Sequence, residues 1–175
     1  KLIDSSYRRF VKLMDDHLSV SRFLFGEKPS SADFAIYGQL TQLIGFDPTS
    51  RRIASENSLR LVSWVDVMAD LSGHDVNNSN WTSLEDSPPS LKEIMKEFGQ
   101  MYVPALLANA KAIIEGDETW ETEIDGSTWK QKAFPYQAKC LKWLKDEFDL
   151  LSSKDKKLLE DFLNGTGCEL LCNEK

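Results

Sequence analysis

Thiols and imidazoles are the side chains of this sequence best suited to chemistry, and they are few. Three cysteines occur, Cys140, Cys168 and Cys172, together with two histidines, His17 and His74. Cys168 and Cys172 are four positions apart, a spacing that places both sulfurs on one face of a helix. A zinc ion would need two further ligands, and only the two histidines could supply them. Because such a site would need both of the histidines that the sequence contains, we predict no metal site.

Other chemical signals in the sequence are weaker still. Cys140 follows Lys139 in an amphipathic stretch, where a nearby cation can favour the thiolate, but buried structural cysteines are commoner there and both interpretations stay open. His17 has no second histidine near it in sequence, which is typical of a surface or capping histidine rather than a metal ligand. No glycine-rich phosphate loop, nucleophile elbow or metal-binding His-Glu pair occurs. The sequence predicts no catalytic residue.

Length, charge and composition argue against several classes of function. The 175 residues are enough for one domain with a sizeable core, and we predict a single domain over residues 1–175. The net charge of −7 opposes binding to nucleic acid or to an anionic membrane, because both need clustered Lys and Arg. No apolar run approaches the roughly 20 residues of a membrane span. Since three cysteines are too few for a disulfide framework, we predict a reducing, cytoplasmic setting.

Apolar side chains recur every three or four positions through most of the chain, which is the helical period. This pattern predicts an all-α helical bundle. Pro104 lies inside one of the helical patterns, where it predicts a kink that Gly99 makes easier. Residues 74–89 are turn-rich and predict a long loop, held to the body by Trp81 and Leu84. The predicted helices cover approximately residues 2–22, 31–44, 48–56, 58–73, 90–116 and 134–151, and a last one begins at residue 152 and ends at Gly165 or Gly167.

Residues 118–131 interrupt the helical pattern with the signature of a β-hairpin. Asp-Gly at positions 125–126 suits a two-residue type I′ turn, and the Thr, Trp and Ile around it favour strands. Pairing across that turn places Trp120, Ile124 and Trp129 on one face. A two-stranded ribbon is marginal by itself in water, so we expect this face to pack on helices.

A charge-free stretch in the first third of the chain predicts a buried helix with a capped start. Ser30 can accept a hydrogen bond from the amide three residues on, and Asp33 can reach back to the Ser30 amide, which makes a capping box. No charged residue occurs from Phe34 to Phe46, so the helix has no charged face and is expected to be buried on most sides. Gly38 costs roughly 1 kcal/mol of helix propensity but allows another helix to come close.

The segment leading into this helix resembles a motif of the glutathione transferase family, G-x-x-x-[ST]-x-A-D. Gly26, Ser30, Ala32 and Asp33 occupy the motif at the expected spacing. In that family the segment joins two helices of the all-helical C-terminal domain and caps the central one. The match covers roughly residues 7–72. The resemblance implies a bundle of the glutathione transferase C-terminal type, to which the hairpin is an addition.

The resemblance also implies a division of labour between two domains. Family members bind glutathione in an N-terminal thioredoxin-like domain, which supplies the catalytic Tyr, Ser or Cys. No β-α-β pattern for such a domain precedes Lys1, so we expect this chain to be the C-terminal part of a longer, cytoplasmic and dimeric protein. The chain alone would then bind no cofactor, and glutathione would be the co-substrate of the whole protein.

In such a protein the C-terminal helices shape the site of a small hydrophobic electrophile, which is conjugated or reduced with glutathione. Ordinary core packing is the commoner role for aromatic side chains, so both roles stay open for each candidate. A non-catalytic helical module for protein–protein assembly is the alternative function. The aromatic candidates for the wall of the site are Tyr7, Tyr37, Trp64 and Tyr102.

Overall fold

The computed structural model describes residues 1–74 and 81–172. Most of these residues are helical, and they include one two-stranded antiparallel sheet, so the predicted all-α class with a hairpin is confirmed. The glutathione transferase type of bundle stays a prediction. In the described ranges no helix has both the length and the apolar character needed to cross a membrane.

The connections between most consecutive elements are short, and the longer ones join α1 to α2 and α4 to α5. The sheet lies between the sixth and seventh helices, and a 3₁₀ turn, Cys168–Leu171, follows the eighth. The helices are α1 (Leu2–Leu18), α2 (Ser31–Leu43), α3 (Pro48–Asn57), α4 (Leu59–Ala69), α5 (Pro89–Met101), α6 (Val103–Glu115), α7 (Pro135–Leu150) and α8 (Ser153–Leu163), and the strands are β1 (Thr119–Ile124) and β2 (Ser127–Lys132).

The chain divides into two units with their boundary inside α5. The N-terminal unit ends at Ile94 and the C-terminal unit begins at Met95. The prediction of a single domain over residues 1–175 stays a prediction.

In the N-terminal unit α2, α3 and α4 pack on one another. Asp47 caps α3 by accepting a hydrogen bond from the Ser50 amide at 2.7 Å, and Ser58 caps α4 by accepting one from the Leu61 amide at 2.9 Å. Both caps satisfy amides that a helix start leaves without partners. The buried apolar side chains of this unit include Val11, Met14, Phe23, Leu40, Ile53, Leu61, Trp64 and Met68.

Two helices of this unit end earlier than predicted, and in both cases a polar side chain competes for the backbone. α1 ends at Leu18 rather than residue 22, and the Ser19 hydroxyl donates to the Asp16 carbonyl at 2.6 Å. α4 ends at Ala69 rather than Gly73, because the Asp70 carboxylate accepts from the Ser72 amide at 2.9 Å and forms a local turn.

α2 differs most from its prediction. The expectation that it is buried on most sides is wrong: within the helix Asp33 and Leu40 are buried, whereas Phe34 is 50% exposed and Phe46, just beyond the helix, is 83% exposed. The physical reason is that uncharged does not mean apolar. Neutral polar or small residues form much of its exposed side, namely Ser31, Ala35, Gly38, Gln39 and Gln42.

Gly38 does not mediate a close helix contact in this structure. A Cβ atom built at Gly38 would meet nothing within 4 Å, so the expectation that another helix comes close there is wrong for the chain as described. Gly99 in α5 is the glycine with the tight environment, because a Cβ there would collide with the carbonyl oxygen of Thr166. Its role is a backbone contact within the C-terminal unit.

The kink predicted at Pro104 is confirmed as a break between α5 and α6 at Tyr102. Pro104 lies in the first turn of α6, where its missing N–H costs no helical hydrogen bond. The Tyr102 amide still donates to the Phe98 carbonyl at 2.8 Å, so the two helices follow each other with one residue between them. α5 begins at Pro89, one residue before the predicted start at residue 90, so Ser90 lies inside the helix.

The hairpin is confirmed down to its register. Ile124 pairs with Ser127 across a turn in which Asp125 has φ 50° and Gly126 has φ 69°, the left-handed values that a type I′ turn requires. β1 packs on α6, and Trp120 and Ile124 are buried on the shared face. The helical surface thus supplies the support that an isolated ribbon lacks.

The connection from the hairpin to α7 is held by the buried side-chain amide of Asn109. Asn109 of α6 is fully buried; its Oδ1 accepts from the Phe134 amide at 2.7 Å and its Nδ2 donates to the Phe134 carbonyl at 3.0 Å. The start of α8 is capped by Ser152, which accepts from the Asp155 amide at 3.2 Å and donates to the Asp155 carboxylate at 2.7 Å.

The loop predicted over residues 74–89 falls partly outside the described residues, which omit 75–80. Trp81 forms an antiparallel bridge with Gly26, and the Thr82 amide donates to the Phe25 carbonyl at 2.9 Å. The segment is therefore held by its backbone, while the Trp81 side chain itself is more than half exposed.

Candidate functional site

The junction before α2 is built around the carboxylate of Asp33, which is fully buried. Its Oδ2 accepts from the Ser30 amide at 2.8 Å and from the Ser30 hydroxyl at 2.6 Å, while the Ser30 Oγ accepts from the Asp33 amide at 3.4 Å. These contacts form the capping box expected from the sequence. In addition, Oδ1 accepts from the Leu24 amide at 2.9 Å, a contact that the sequence did not predict.

Gly26 closes the tight turn in front of this cap. The Phe23 amide donates to the Gly26 carbonyl at 2.9 Å, and Gly26 has φ 107°, which side chains with a Cβ rarely adopt. The glycine and the aspartate of the motif therefore both have a structural reason to be present. Because the described donors around Asp33 are already bonded to it, its carboxylate serves the fold rather than a reaction.

His17 lies beside this junction and is fully buried, so the interpretation of a surface histidine is wrong. Its Nε2 is 3.2 Å from the Phe23 carbonyl oxygen and its Nδ1 is 2.9 Å from the Ser90 hydroxyl. A carbonyl can only accept, so Nε2 carries the proton and Nδ1 accepts from Ser90. Burial lowers the pKa of His17, which keeps the ring neutral, and both ring nitrogens are already engaged.

Of the predicted wall residues, Tyr7 and Trp64 serve packing in the N-terminal unit. The Tyr7 hydroxyl donates to the Ser50 carbonyl at 3.2 Å, and burial, together with the nearby Asp47 carboxylate, raises the pKa of Tyr7 so that the phenol stays protonated. Trp64 is buried, and its indole N–H has no hydrogen-bond partner among the described residues.

Tyr37 and Tyr102 keep more of their surface. Tyr37 is half-buried on α2, and Tyr102, in the C-terminal unit, is 44% exposed at the break between two helices. Burial, and to a smaller extent the Cys140 thiol, raises the pKa of Tyr102. The described residues form a polar cavity in the N-terminal unit and an apolar cavity in the C-terminal unit, and none of the four predicted wall residues lines either one.

A polar cavity of about 390 Å³ lies in the N-terminal unit beyond α4. The His74 ring packs edge-to-face against the Phe23 ring, with the ring centroids 5.5 Å apart. Its Nε2 is buried and has no hydrogen-bond partner among the described residues. Charges of both signs lie around it, and in the described ranges no group of His, Cys, Asp and Glu could hold a metal ion. The lining residues are Arg22, Glu27, Val67, Asp70, Leu71, Ser72, Gly73 and His74.

A second cavity, of about 340 Å³, lies in the C-terminal unit and is almost entirely apolar. Sequence reasoning missed it because the apolar stripe on α7 that includes Leu144 and Phe148 has the same helical period whether it faces a core or a cavity. The lining residues come from α5, α7, α8 and the 3₁₀ turn: Met95, Leu144, Glu147, Phe148, Leu151, Leu159, Leu163, Cys168, Leu171 and Cys172.

Two of the three cysteines form part of this apolar wall, one at each end of the 3₁₀ turn rather than on one face of an α-helix. Burial raises the pKa of Cys168 and of Cys172, and the carboxylates of Glu160 and Glu169 raise that of Cys172 further. The Cys168 Sγ donates to the Met95 carbonyl at 3.3 Å. Since the thiolate is the nucleophilic form, these protonated thiols are suited to packing and binding rather than to catalysis.

No family model, curated protein or solved structure matches this chain. The function is therefore inferred from the geometry of the chain itself. Its main features are a tightly bonded junction, an uncharged exposed helix face and two cavities of different polarity.

Proposed function

We propose that this chain is the C-terminal helical domain of a glutathione transferase-like protein, contributing to the co-substrate site and to assembly. The observation that carries the proposal is the junction before α2. Gly26 provides its left-handed turn, and Ser30 and Asp33 cap the helix reciprocally with the carboxylate buried. Each of these motif positions thus has a geometric requirement that few other residues meet.

The exposed face of α2 supports the assembly part of the proposal. It carries no charge between Phe34 and Phe46, and both of these rings are at least half exposed. A surface of that kind is suited to being covered, since charged side chains are depleted from the centres of protein interfaces. The thioredoxin-like domain that the resemblance implies is the partner proposed for it, with a second copy of the chain completing a homodimer.

In this proposal the catalytic group lies in the thioredoxin-like domain, and the whole cytoplasmic protein conjugates or reduces small hydrophobic electrophiles with glutathione. Tyr7 is engaged with Ser50, so it is the weakest candidate for contact with the electrophile. Tyr37 and Tyr102, whose rings keep accessible surface, are the better candidates among the predicted wall residues.

The decisive experiment reads the gene upstream of the Lys1 codon and expresses the complete product. We expect a thioredoxin-like domain with a cis-proline and a Tyr, Ser or Cys near its first strand. The product should consume glutathione with a chlorodinitrobenzene as the electrophile. Phe34→Asp should lower that activity by placing a charge on the proposed interface, whereas Ile114→Asp, at an 86% exposed position of α6, should not.

The alternative function is a non-catalytic helical module for protein–protein assembly. It is favoured by the uncharged, exposed face of α2, which is suited to being covered by a partner protein. An unrelated domain upstream, or a complete product that does not consume glutathione, would support this alternative and contradict the transferase proposal.

A further inference from the structure

We propose that the apolar cavity of the C-terminal unit is a binding site for a small, uncharged hydrophobic molecule. It lies outside residues 7–72, which carry the family resemblance, and the inference does not depend on the proposed function. The cavity volume of about 340 Å³ falls within the roughly 300–1,000 Å³ of ordinary ligand sites. A cavity of about 150 Å³ with apolar walls is enough to hold benzene, so this one has room for about two aromatic rings.

The walls of the cavity select against polar occupants. Leu163 and Cys168 are buried and form its inner side, and the Cys168 thiol already donates to the Met95 carbonyl. Water in such a space gains few hydrogen bonds, so its replacement by an apolar molecule is favourable. Leu144 and Leu151 are partly exposed, which places them on the open side through which a ligand enters.

The charges around the cavity select against anions. Glu147 lies on its lining, and the carboxylates of Glu160 and Glu169 are close enough to act on the Cys172 thiol. The Lys156 ammonium lies 5.3 Å from the centre of the Phe148 ring, but it is also 3.5 Å from an Asp149 carboxylate oxygen, which offsets its charge. Carboxylates close to a site of low polarity disfavour fatty acids and other anionic amphiphiles.

The first test compares two fluorescent probes that differ in charge. N-phenylnaphthylamine is uncharged, whereas anilinonaphthalene sulfonate has the same rings and one negative charge. We expect the neutral probe to bind the purified chain at one site, with an affinity at least about tenfold higher than that of the sulfonate. Equal binding of both probes, or binding at several sites, would overturn the proposal.

Matched variants locate the bound probe. Leu151→Trp fills the open side of the cavity and should weaken binding of the neutral probe about tenfold or more. Leu150→Trp is the control, because Leu150 is the preceding residue, is 80% exposed and does not line the cavity. Urea unfolding of both variants establishes that they are folded. Unchanged binding in folded Leu151→Trp would overturn the assignment.

Thiol labelling of the unmodified protein gives a second measurement that needs no variant. Saturation with the neutral probe should slow maleimide labelling of Cys172, which lines the cavity, and leave labelling of Cys140, which does not, unchanged. If Cys172 is labelled at the same rate with and without probe, the probe does not occupy the cavity. A dimer that dissociates on Leu151→Trp substitution would instead identify a second copy of the chain as the occupant and overturn the proposal.

Discussion

Asp33 accepts more hydrogen bonds than a capping residue needs, because it also holds the Leu24 amide of the preceding segment. Asp33→Ala therefore leaves the buried Leu24 amide and the half-buried Ser30 amide without their acceptor. At about 1–3 kcal/mol for the buried amide and about 1 kcal/mol for the half-buried one, we expect a loss of roughly 2–4 kcal/mol in the free energy of unfolding, measured by urea denaturation.

The chain contains its own control for this substitution. Ser152 and Asp155 form the corresponding contact at the start of α8, but there both side chains are exposed. Asp155→Ala should cost about 0.5–1 kcal/mol, since water can replace the lost bonds. Equal losses for the two variants would mean that burial of Asp33 does not contribute to its effect.

His17 makes stability depend on pH in a definite direction. Burial lowers its pKa in the folded state below the ordinary value of 6.5, so the unfolded chain binds more protons in the interval between the two values. Its contribution is present above about pH 6.5 and is lost as the pH falls through that interval, by at most about 1.4 kcal/mol per pH unit. Urea unfolding at about pH 7.5 and about pH 5.5 measures the loss.

The matched variant is His17→Gln, which keeps a polar side chain that does not titrate. The other histidine, His74, is present in both proteins, so the difference between their pH dependences isolates His17. The variant should be less stable at neutral pH and should show a shallower decline toward acid. Identical slopes in the two proteins would show that His17 is not the group responsible.

At the level of elements, features encoded within a few residues were predicted best. The hairpin follows from Asp125 and Gly126, whose left-handed conformations set the turn and with it the pairing of Ile124 with Ser127. The cap of α2 follows from a three-residue spacing, and the helix break follows from Pro104. In each case the physical cause acts between neighbours in sequence.

Features that depend on distant segments of the chain were not predicted, because their physical cause does not act between neighbours in sequence. The apolar cavity combines Met95 with side chains of α7, α8 and the 3₁₀ turn, and His17 finds its partner Ser90 73 positions away. The burial of α2 was predicted from its lack of charge. What covers a helix is decided by its neighbours in space, and Phe34 remained half exposed.

Two glycines in helices illustrate the same distinction and give a paired prediction. Gly38→Ala in α2 should raise the free energy of unfolding by about 0.5–1 kcal/mol, because a Cβ there meets nothing within 4 Å and alanine favours the helix. Gly99→Ala in α5 should lower it by about 1–3 kcal/mol, because the new Cβ collides with the Thr166 carbonyl oxygen.

Urea denaturation of both alanine variants checks this pair against the unmodified chain. Helix propensity alone ranks the two glycines alike, since each lies inside a helix and each should gain from replacement by alanine. Stabilisation by Gly99→Ala would contradict the close backbone approach. Destabilisation by Gly38→Ala would indicate that the α2 face is covered in solution, by another molecule of the chain.

At the scale of the whole molecule, charge and the proposed division of labour lead to one further prediction. The chain has a net charge of −7, and glutathione at neutral pH has two carboxylates and one ammonium group. Long-range electrostatics therefore oppose binding. In the proposed function the groups that hold glutathione belong to the thioredoxin-like domain. We expect calorimetry on the chain alone to show no micromolar affinity, and to give the same result for Tyr37→Phe and Tyr102→Phe.

Micromolar binding of glutathione by the chain alone would contradict that division of labour, and its loss in one tyrosine variant would identify the site. The measurement is informative only for folded protein, so the same preparation should show cooperative urea unfolding. An increase in affinity at low salt alone would also count against the prediction, because repulsion between like charges is strongest there. Absence of binding at low salt and at physiological salt is the result that the charge and the resemblance together predict.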